Sequence, residues 1–274
     1  MMKKLFTTLI ILSIPAVLIS QTLNNTKSNT KINQTYSLDL VTDLIISPIG
    51  ISTLTIGLIV YDLPKPTQAK VNALRISDIN PIDRFSANFW NPAAATTSDI
   101  FLYVSVAIPY ALMLFPKVRN EWLTILAMYG ETMSISLGFN LMSKGLVQRF
   151  RPYAYNSMLS IEMRSDQDSQ RSFYSGHSSL SWTSTIFFAK VFSDLYPASK
   201  WIPFVWLSAI SLSSTTAALR VIAGKHFLTD VLVGAATGFL IGFLVPELHK
   251  KHNLRMSLIT PEEGGLYVAM YYNW

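Results

Sequence analysis

Three short polar segments interrupt a chain that is otherwise strongly apolar. The first, KGLVQRFRP, contains Lys144 and Arg151 seven residues apart and ends at Pro152. If a helix continued through it, both cations would lie on one face, and Pro152 would tend to end the helix. Two cations on one face could bind an anion. The alternative is positive charge that orients a membrane-spanning helix.

The second segment, SFYSGHSS, surrounds a glycine and a histidine. Ser175 or Ser178 can cap a helix, whose first-turn N–H groups and positive dipole attract anions. Gly176 would let the backbone approach such an anion closely. His177 would then stand beside the anion and could protonate a leaving oxygen. The alternative is a helix cap next to a surface histidine.

The third segment, RVIAGKHFLTD, runs from Arg220 to Asp230. His226 and Asp230 are four residues apart at the start of a predicted helix, so they should share a face. The carboxylate could hold one imidazole nitrogen and raise the basicity of the other, as a nucleophilic histidine requires. Arg220 offers a bidentate donor for phosphate-like oxygens. The alternative is an interfacial salt bridge with a helix cap.

The composition restricts the class of protein that must position these residues. The chain has 274 residues, of which 50% are hydrophobic and only 14% charged, against roughly 25% charged in soluble domains. The net charge of +6 reflects 16 acids against 22 bases, and no long Lys/Arg block suggests nucleic-acid binding. Cysteine is absent, which excludes disulfides and thiol chemistry. The composition indicates a membrane protein.

Apolar runs predict the spanning helices, since a bilayer core needs roughly 20 mostly apolar residues per helix. Six candidates are Val41–Tyr61, Asp99–Phe115, Glu121–Ser143, Leu180–Tyr196, Trp201–Leu219 and Phe227–Pro246. The fourth is rich in Ser and Thr, which predicts a position inside the bundle rather than against lipid. The last carries Gly234, Gly238 and Gly242, a spacing that favours close helix packing.

The chain divides into four regions. Residues 1–21 resemble a signal peptide, with an uncleaved anchor as the alternative, and residues 22–40 form a polar linker. Residues 41–247 form the predicted core. Residues 248–274 hold a basic cluster that includes His249, followed by a tail in which a small hairpin is predicted from Met256–Thr260 and Leu266–Trp274.

Together the three segments resemble the motifs of the type 2 phosphatidic acid phosphatase (PAP2) superfamily, which shares its site with vanadium haloperoxidases. The matching pattern is Lys144-x6-Arg151-Pro152, Ser175-Gly176-His177 and Arg220-x5-His226-x3-Asp230. The resemblance extends over Val41 to Pro246 and implies an all-α integral membrane six-helix bundle. Two positions depart from the family pattern, with Tyr174 in place of a usual Pro and Leu219 in place of a usual Ser.

The resemblance also implies roles for the residues. His226 would attack phosphorus and form a phosphohistidine, and Asp230 would orient it. His177 would protonate the leaving oxygen and then activate water. The non-bridging oxygens would be held by Lys144, Arg151, Arg220, Ser175 and Gly176. No metal or other cofactor is expected, because three cations would stabilise the charge.

The implied activity is metal-independent hydrolysis of a lipid phosphate or pyrophosphate at the membrane surface. The expected partners are the phosphorylated lipid and the bilayer, and no nucleic acid. The resemblance suggests a bacterial inner membrane with the site facing the periplasm. A cleaved signal peptide followed by six spans would instead place the site in the cytoplasm, so the orientation depends on residues 1–21 and on whether Val41–Tyr61 spans fully.

Three other functions are compatible with the same motifs. A phosphotransferase would pass the phosphoryl group to an acceptor other than water. A vanadate-dependent haloperoxidase would ligate vanadate through His226, although the apolar spans disfavour this class. A lipid-phosphate transporter or binding protein would keep the anion site without catalysis.

Overall fold

A computed structural model of the chain describes residues 34–38, 40–62, 64–251, 254–259 and 267–272. The helices in chain order are α1 (Leu40–Tyr61), α2 (Gln68–Asn72), α3 (Pro92–Ala107), α4 (Pro116–Arg119), α5 (Trp122–Val147), α6 (Pro152–Tyr155), α7 (Ile161–Arg164), α8 (Gly176–Leu195), α9 (Ile202–Ile222) and α10 (Leu228–His249). Short 3-10 helices occupy Ile76–Asp78, Arg84–Ser86 and Ile108–Leu114. The predicted tail hairpin is present as antiparallel strands β1 (Leu254–Ile259) and β2 (Tyr267–Tyr272), with Leu254 opposite Tyr272.

The part of the chain that carries the motifs is all-helical, as expected. Five of the predicted apolar segments coincide with the long helices α1, α5, α8, α9 and α10. The remaining one, Asp99–Phe115, begins seven residues into α3 and continues through the 3-10 helix Ile108–Leu114. Within the described residues, Pro92–Leu114, Ile202–Ile222 and Leu228–His249 are long and apolar enough to cross a membrane, and Ile46–Tyr61 is a shorter apolar helix. The chain is therefore a membrane protein, and the count of six spans stays a prediction.

Helix α8 is the element against which α3, α5, α9 and α10 pack. Its Ser and Thr side chains are buried and hydrogen-bonded to neighbouring helices. Thr183 pairs with Ser136 of α5 at 2.9 Å, and Thr185 pairs with Ser213 of α9 at 2.7 Å. Hydroxyl groups without access to water need such partners. The prediction that this polar helix lies inside the bundle is confirmed.

Glycines line the face of α10 that packs on α8. A Cβ at Gly238 would lie 2.3 Å from the Ser179 carbonyl oxygen, and one at Gly242 would lie 2.4 Å from the Thr183 carbonyl oxygen. Real Cβ atoms do not approach backbone oxygens so closely, so only glycine lets the two helices meet here. The close packing predicted from the glycine spacing is confirmed.

The three motifs meet at one end of the bundle, which we call the motif end. The C-terminal ends of α1, α5 and α9 lie there with the N-terminal ends of α3, α8 and α10. The Asn140 side chain of α5 donates to the Tyr174 carbonyl oxygen at 2.9 Å, just before α8 begins. The Ser175 amide donates to the Asp230 carbonyl oxygen of α10 at 3.0 Å. These contacts fix the starts of α8 and α10 side by side.

At the opposite end of the bundle, the position of His249 differs from the prediction. The sequence placed this residue in a basic cluster after the last helix, whereas α10 continues to His249 and its side chain is only 2% exposed. Residues 34–38 cover this end: the Ser37 amide donates to the His249 carbonyl oxygen at 3.0 Å, and the Lys251 amide donates to that of Thr35 at 2.9 Å. The signal-like unit, residues 1–21, lies outside the described residues.

We expect Gly238→Leu to destabilise the bundle by about 3 kcal/mol, the upper part of the usual range for overpacking. The new side chain would meet a backbone oxygen that cannot move independently of α8. Ala236→Leu, on the exposed side of α10, is the matched control and should change stability by less than about 0.5 kcal/mol. Thermal unfolding in detergent measures both. Equal losses in the two variants would contradict close packing of α8 and α10.

Candidate active site

The first motif does not form one helical face, because α5 ends at Val147. Gln148 takes a left-handed conformation, φ 50°, and turns the chain out of the helix. Lys144 therefore lies on the last turn of α5, while Arg151 lies in the following loop. The buried ammonium of Lys144 donates to the Arg171 carbonyl oxygen at 2.7 Å. The two predicted cations do face the same site, but from two separate pieces of backbone.

Arg151 is buried and held in place on several sides. Its Nη2 lies 2.8 Å from Asp168 Oδ2, and its Nε and Nη1 donate to the carbonyl oxygens of Asp168 and Lys225 at 2.9 and 3.1 Å. Burial, the largest single influence, opposes the charge, but Asp168 and smaller contributions from Tyr153, Tyr61 and Asp166 together outweigh it, so the pKa of Arg151 is raised. The same Nη1 lies 3.4 Å from His226 Nε2, which places a permanent cation beside that nitrogen.

The second motif caps α8, as predicted. Ser175 is the N-cap residue, and its side chain accepts from the Ser178 amide at 3.3 Å. His177 is buried rather than on the surface, and its Nε2 donates to Asp99 Oδ1 at 2.6 Å. A Cβ at Gly176 would lie 2.8 Å from Asn140 Oδ1. Packing against α5 therefore also requires a small residue at this position.

Arg220 reaches the same carboxylate from α9. Its Nη1 donates to Ser98 Oγ at 3.0 Å and lies 3.3 Å from Asp99 Oδ1. Its buried Nε has no hydrogen-bond partner among the described residues. Asp99 thus links the histidine of the second motif to the arginine of the third, and Arg220 keeps a donor that an anion could use.

His226 is almost completely buried, and its tautomer is fixed by the backbone. Its Nδ1 lies 2.8 Å from the Ser172 carbonyl oxygen, which can only accept, so Nδ1 carries the proton. Nε2 then holds a lone pair in the neutral ring. Burial lowers the pKa of His226 well below 6.5, and the positive charges of Arg151, Lys144 and Arg220 lower it further. The ring is neutral at pH 7, which is the form a nucleophile needs.

Asp230 does not hold His226 in the predicted way. The carboxylate Oδ2 is 3.8 Å from His226 Nδ1, too far for a hydrogen bond. Helix α10 begins at Leu228, so the histidine precedes the helix. Asp230 instead caps the helix by accepting from the Phe227 amide at 2.9 Å, and it accepts from Ser172 Oγ at 2.5 Å. Asp230 therefore acts on His226 through Ser172, whose hydroxyl donates to Asp230 and whose carbonyl oxygen fixes the tautomer of His226.

Arg149, to which the sequence analysis gave no role, forms an ion pair with Asp230. Arg149 Nη1 donates to Asp230 Oδ1 at 2.6 Å, and its Nη2 donates to Asp83 Oδ2 at 2.8 Å. Asp83 also accepts from the Thr229 amide and hydroxyl at 3.0 and 2.6 Å. Burial opposes the charge of Asp83, but these donors outweigh it and lower its pKa. The loop before α3 is thereby tied to the start of α10.

Two functional residues were therefore missed by sequence reasoning. Asp99 could have been flagged as an acid near the start of an apolar span, where a charge is costly without a partner. Arg149 gave no local signal, because its partners Asp83 and Asp230 lie 66 and 81 residues away along the chain.

The structure offers an account of one departure from the family pattern. Tyr174 stands where the family usually has proline, and side chains of α5 hold its backbone in place. The Tyr174 carbonyl oxygen accepts from Asn140 at 2.9 Å, and the Tyr174 amide donates to Ser143 Oγ at 3.2 Å. Nothing in the structure explains Leu219.

The motif end gathers cations rather than metal ligands. Among the described residues, the histidine and acidic side chains spaced to hold a metal ion are Asp43, Glu131 and His249, which lie towards the opposite end of the bundle.

The region that contains the three motifs is similar to known proteins. A model of the PAP2 superfamily matches residues 125–254, a range that includes all eight predicted site residues. The crystal structure of a transmembrane PAP2-type phosphatidylglycerolphosphate phosphatase from Bacillus subtilis is 22% identical in sequence, with a TM-score of 0.43. The alignment covers 72% of this chain and 94% of that one. No curated protein matches the sequence.

We expect Arg149→Leu to destabilise the protein by roughly 3–5 kcal/mol, because Asp83 and Asp230 would be left as buried charges without a cation. Adding Asp83→Asn should recover part of that loss, which a double-mutant cycle by thermal unfolding measures. Arg84→Leu, at an exposed arginine next to Asp83 that does not pair with that carboxylate, is the control and should have a much smaller effect. Additive losses from Arg149→Leu and Asp83→Asn would contradict the coupling.

Proposed function

We propose that the chain is a PAP2-type phosphatase that hydrolyses a lipid phosphate or pyrophosphate monoester through a phosphohistidine intermediate. The match of residues 125–254 to the PAP2 superfamily model and the apolar helices support a phosphatase that works in a membrane. The covalent intermediate and the lipid class are our proposal.

The observation that carries the proposal is the state of His226. A neutral imidazole with its Nδ1 proton committed to the Ser172 carbonyl leaves Nε2 as the nucleophilic atom. Arg151 lies 3.4 Å from that atom, so a phosphate drawn to the arginine would meet the lone pair. Positioning and charge stabilisation supply most of the catalysis in phosphoryl transfer.

In the first step, Nε2 of His226 attacks phosphorus and forms an N–P bond as the bond from phosphorus to the lipid oxygen breaks. His177 gives its proton to the departing oxygen. Burial and Arg220 lower the pKa of His177 to about 4, while Asp99, 2.6 Å from Nε2, opposes this shift. The negative charge of a bound phosphate would add to the effect of Asp99 and favour the protonated ring, which would deliver its proton from Nδ1. Lys144, Arg151 and Arg220 offset the negative charge on the non-bridging oxygens.

In the second step, water replaces the lipid. His177, now neutral, accepts a proton from a water molecule as its oxygen attacks phosphorus. The N–P bond breaks, its electron pair returns to His226, and inorganic phosphate is released. Each histidine ends in its starting state. The chemistry needs no redox or metal partner, because the three cations supply the positive charge.

We also propose that the motif end faces the outside of a bacterial inner membrane. The Ser37 amide donates to the His249 carbonyl oxygen and the Lys251 amide to the Thr35 carbonyl oxygen at the other end of the bundle. Residues 34–38 and the C-terminal end of α10 would then lie on the cytoplasmic side. Lys117, Arg119, Lys250 and Lys251 would then lie on the cytoplasmic side, and Lys65, Lys70 and Arg75 on the outer side. The orientation is therefore proposed from the family resemblance and not from the distribution of loop charge. In this arrangement residues 1–21 do not carry the linker across the membrane.

The test is release of inorganic phosphate by the purified full chain in detergent with EDTA present. The substrates are phosphatidic acid, phosphatidylglycerophosphate, undecaprenyl pyrophosphate and lipid A. We expect release from at least one lipid, and we expect His226→Ala to lower the rate by about 10³-fold or more. His252→Ala, the same change at a histidine outside the motifs, is the matched control and should keep full activity.

Three results would overturn parts of the proposal. Folded protein that releases no phosphate from any lipid would contradict the phosphatase activity. Activity in His226→Ala would contradict the nucleophile. Transfer to an added alcohol without phosphate release would instead identify a phosphotransferase.

A further inference from the structure

Three ionisable side chains meet far from the motif end, on three different helices. His249 Nε2 lies 3.1 Å from Asp43 Oδ1 and 3.2 Å from Glu131 Oε2. The three ligand atoms all lie within 4.8 Å of one another. Asp43, Glu131 and His249 are 4%, 6% and 2% exposed. Buried ionisable groups in a membrane protein are costly and usually have a function.

The hydrogen bonds fix the tautomer of His249. Its Nδ1 lies 2.9 Å from the Val245 carbonyl oxygen, which can only accept, so Nδ1 carries a proton. In the neutral ring Nε2 then presents a lone pair to two carboxylates that also present lone pairs. A cation at the centre of the three atoms, either a second proton on the ring or a metal ion, is needed to relieve this repulsion.

Glu131 favours a metal ion over a proton. Its Oε1 accepts from the Ser47 hydroxyl, while its buried Oε2 faces His249 Nε2 at 3.2 Å and accepts no other hydrogen bond from the described residues. An imidazolium between two carboxylates would leave one net negative charge buried. A divalent ion with a neutral histidine would leave the group of three ligands neutral.

We propose that Asp43, Glu131 and His249 bind a divalent metal ion of the Zn²⁺ type. Nitrogen and carboxylate oxygen are ligands that Zn²⁺ accepts at about 2.0–2.1 Å, which places tetrahedral ligands about 3.3 Å apart. The 3.1 and 3.2 Å separations are close to this value. The bonds of His249 to Val245 and of Glu131 to Ser47 are the outer contacts that orient metal ligands.

The metal site serves structure rather than chemistry. Glu131 and Lys144 are thirteen residues apart on α5, so the site lies about 20 Å along the helix from the motif end. An ion held there joins the first, the third and the last of the long helices. The inference does not depend on the proposed phosphatase activity, because binding and unfolding are measured without substrate.

The test uses the full chain in detergent, stripped with a chelator, incubated with Zn²⁺ and passed through a desalting column. We expect mass spectrometry to find about one Zn²⁺ per chain and thermal unfolding to move to higher temperature. Glu131→Gln should abolish both effects. Ser47→Ala keeps all three ligands and should weaken binding by about 10–100-fold in competition with a coloured chelator.

Asp194→Asn is the matched control, because it removes a carboxylate at the same end of the bundle that pairs with Lys190 and Lys250. This variant should retain the ion. Wild-type protein that binds no stoichiometric Zn²⁺ would overturn the proposal. Retention of the ion by Glu131→Gln with unchanged affinity would also overturn it, since the ion would then lie elsewhere.

Discussion

The structure depends most on holding several positive side chains close together in a buried place. Lys144, Arg151 and Arg220 are each less than 10% exposed, and like charges at such a site repel. The protein offsets this with acceptors that are part of the scaffold. Asp168 lies against Arg151, and Asp99 lies against Arg220. The helices and loops that meet at the motif end are arranged to supply these acceptors.

This field of positive charge decides what His226 can do. A histidine in water is partly protonated near neutral pH, and a protonated ring cannot attack phosphorus. Burial and the surrounding cations lower the pKa of His226, so in the proposed mechanism the residues that would attract an anionic substrate also keep the nucleophile neutral. Under that proposal, substrate binding and nucleophile activation have one physical cause.

Much of this arrangement is readable from the sequence. Apolar runs predicted where the long helices lie, and the polar segments predicted which residues meet. Contacts between residues far apart in the chain could not be predicted from the sequence. Asp99 and His177 are 78 residues apart, and no local pattern indicates that they pair. Asp230 lies 3.8 Å from His226 Nδ1, and the predicted hydrogen bond between them is not formed, because the helix begins two residues after the histidine. His249 was misassigned because the basic residues after it suggested a solvated tail.

Rapid quenching during the first turnover tests the central claim most directly. The full chain would be mixed with a lipid labelled in its phosphate, denatured in alkali and mapped by mass spectrometry. We predict an acid-labile, alkali-stable phosphoryl group on His226, formed before phosphate is released and absent from His226→Ala. Turnover without a labelled chain, or a label on another residue, would contradict the account.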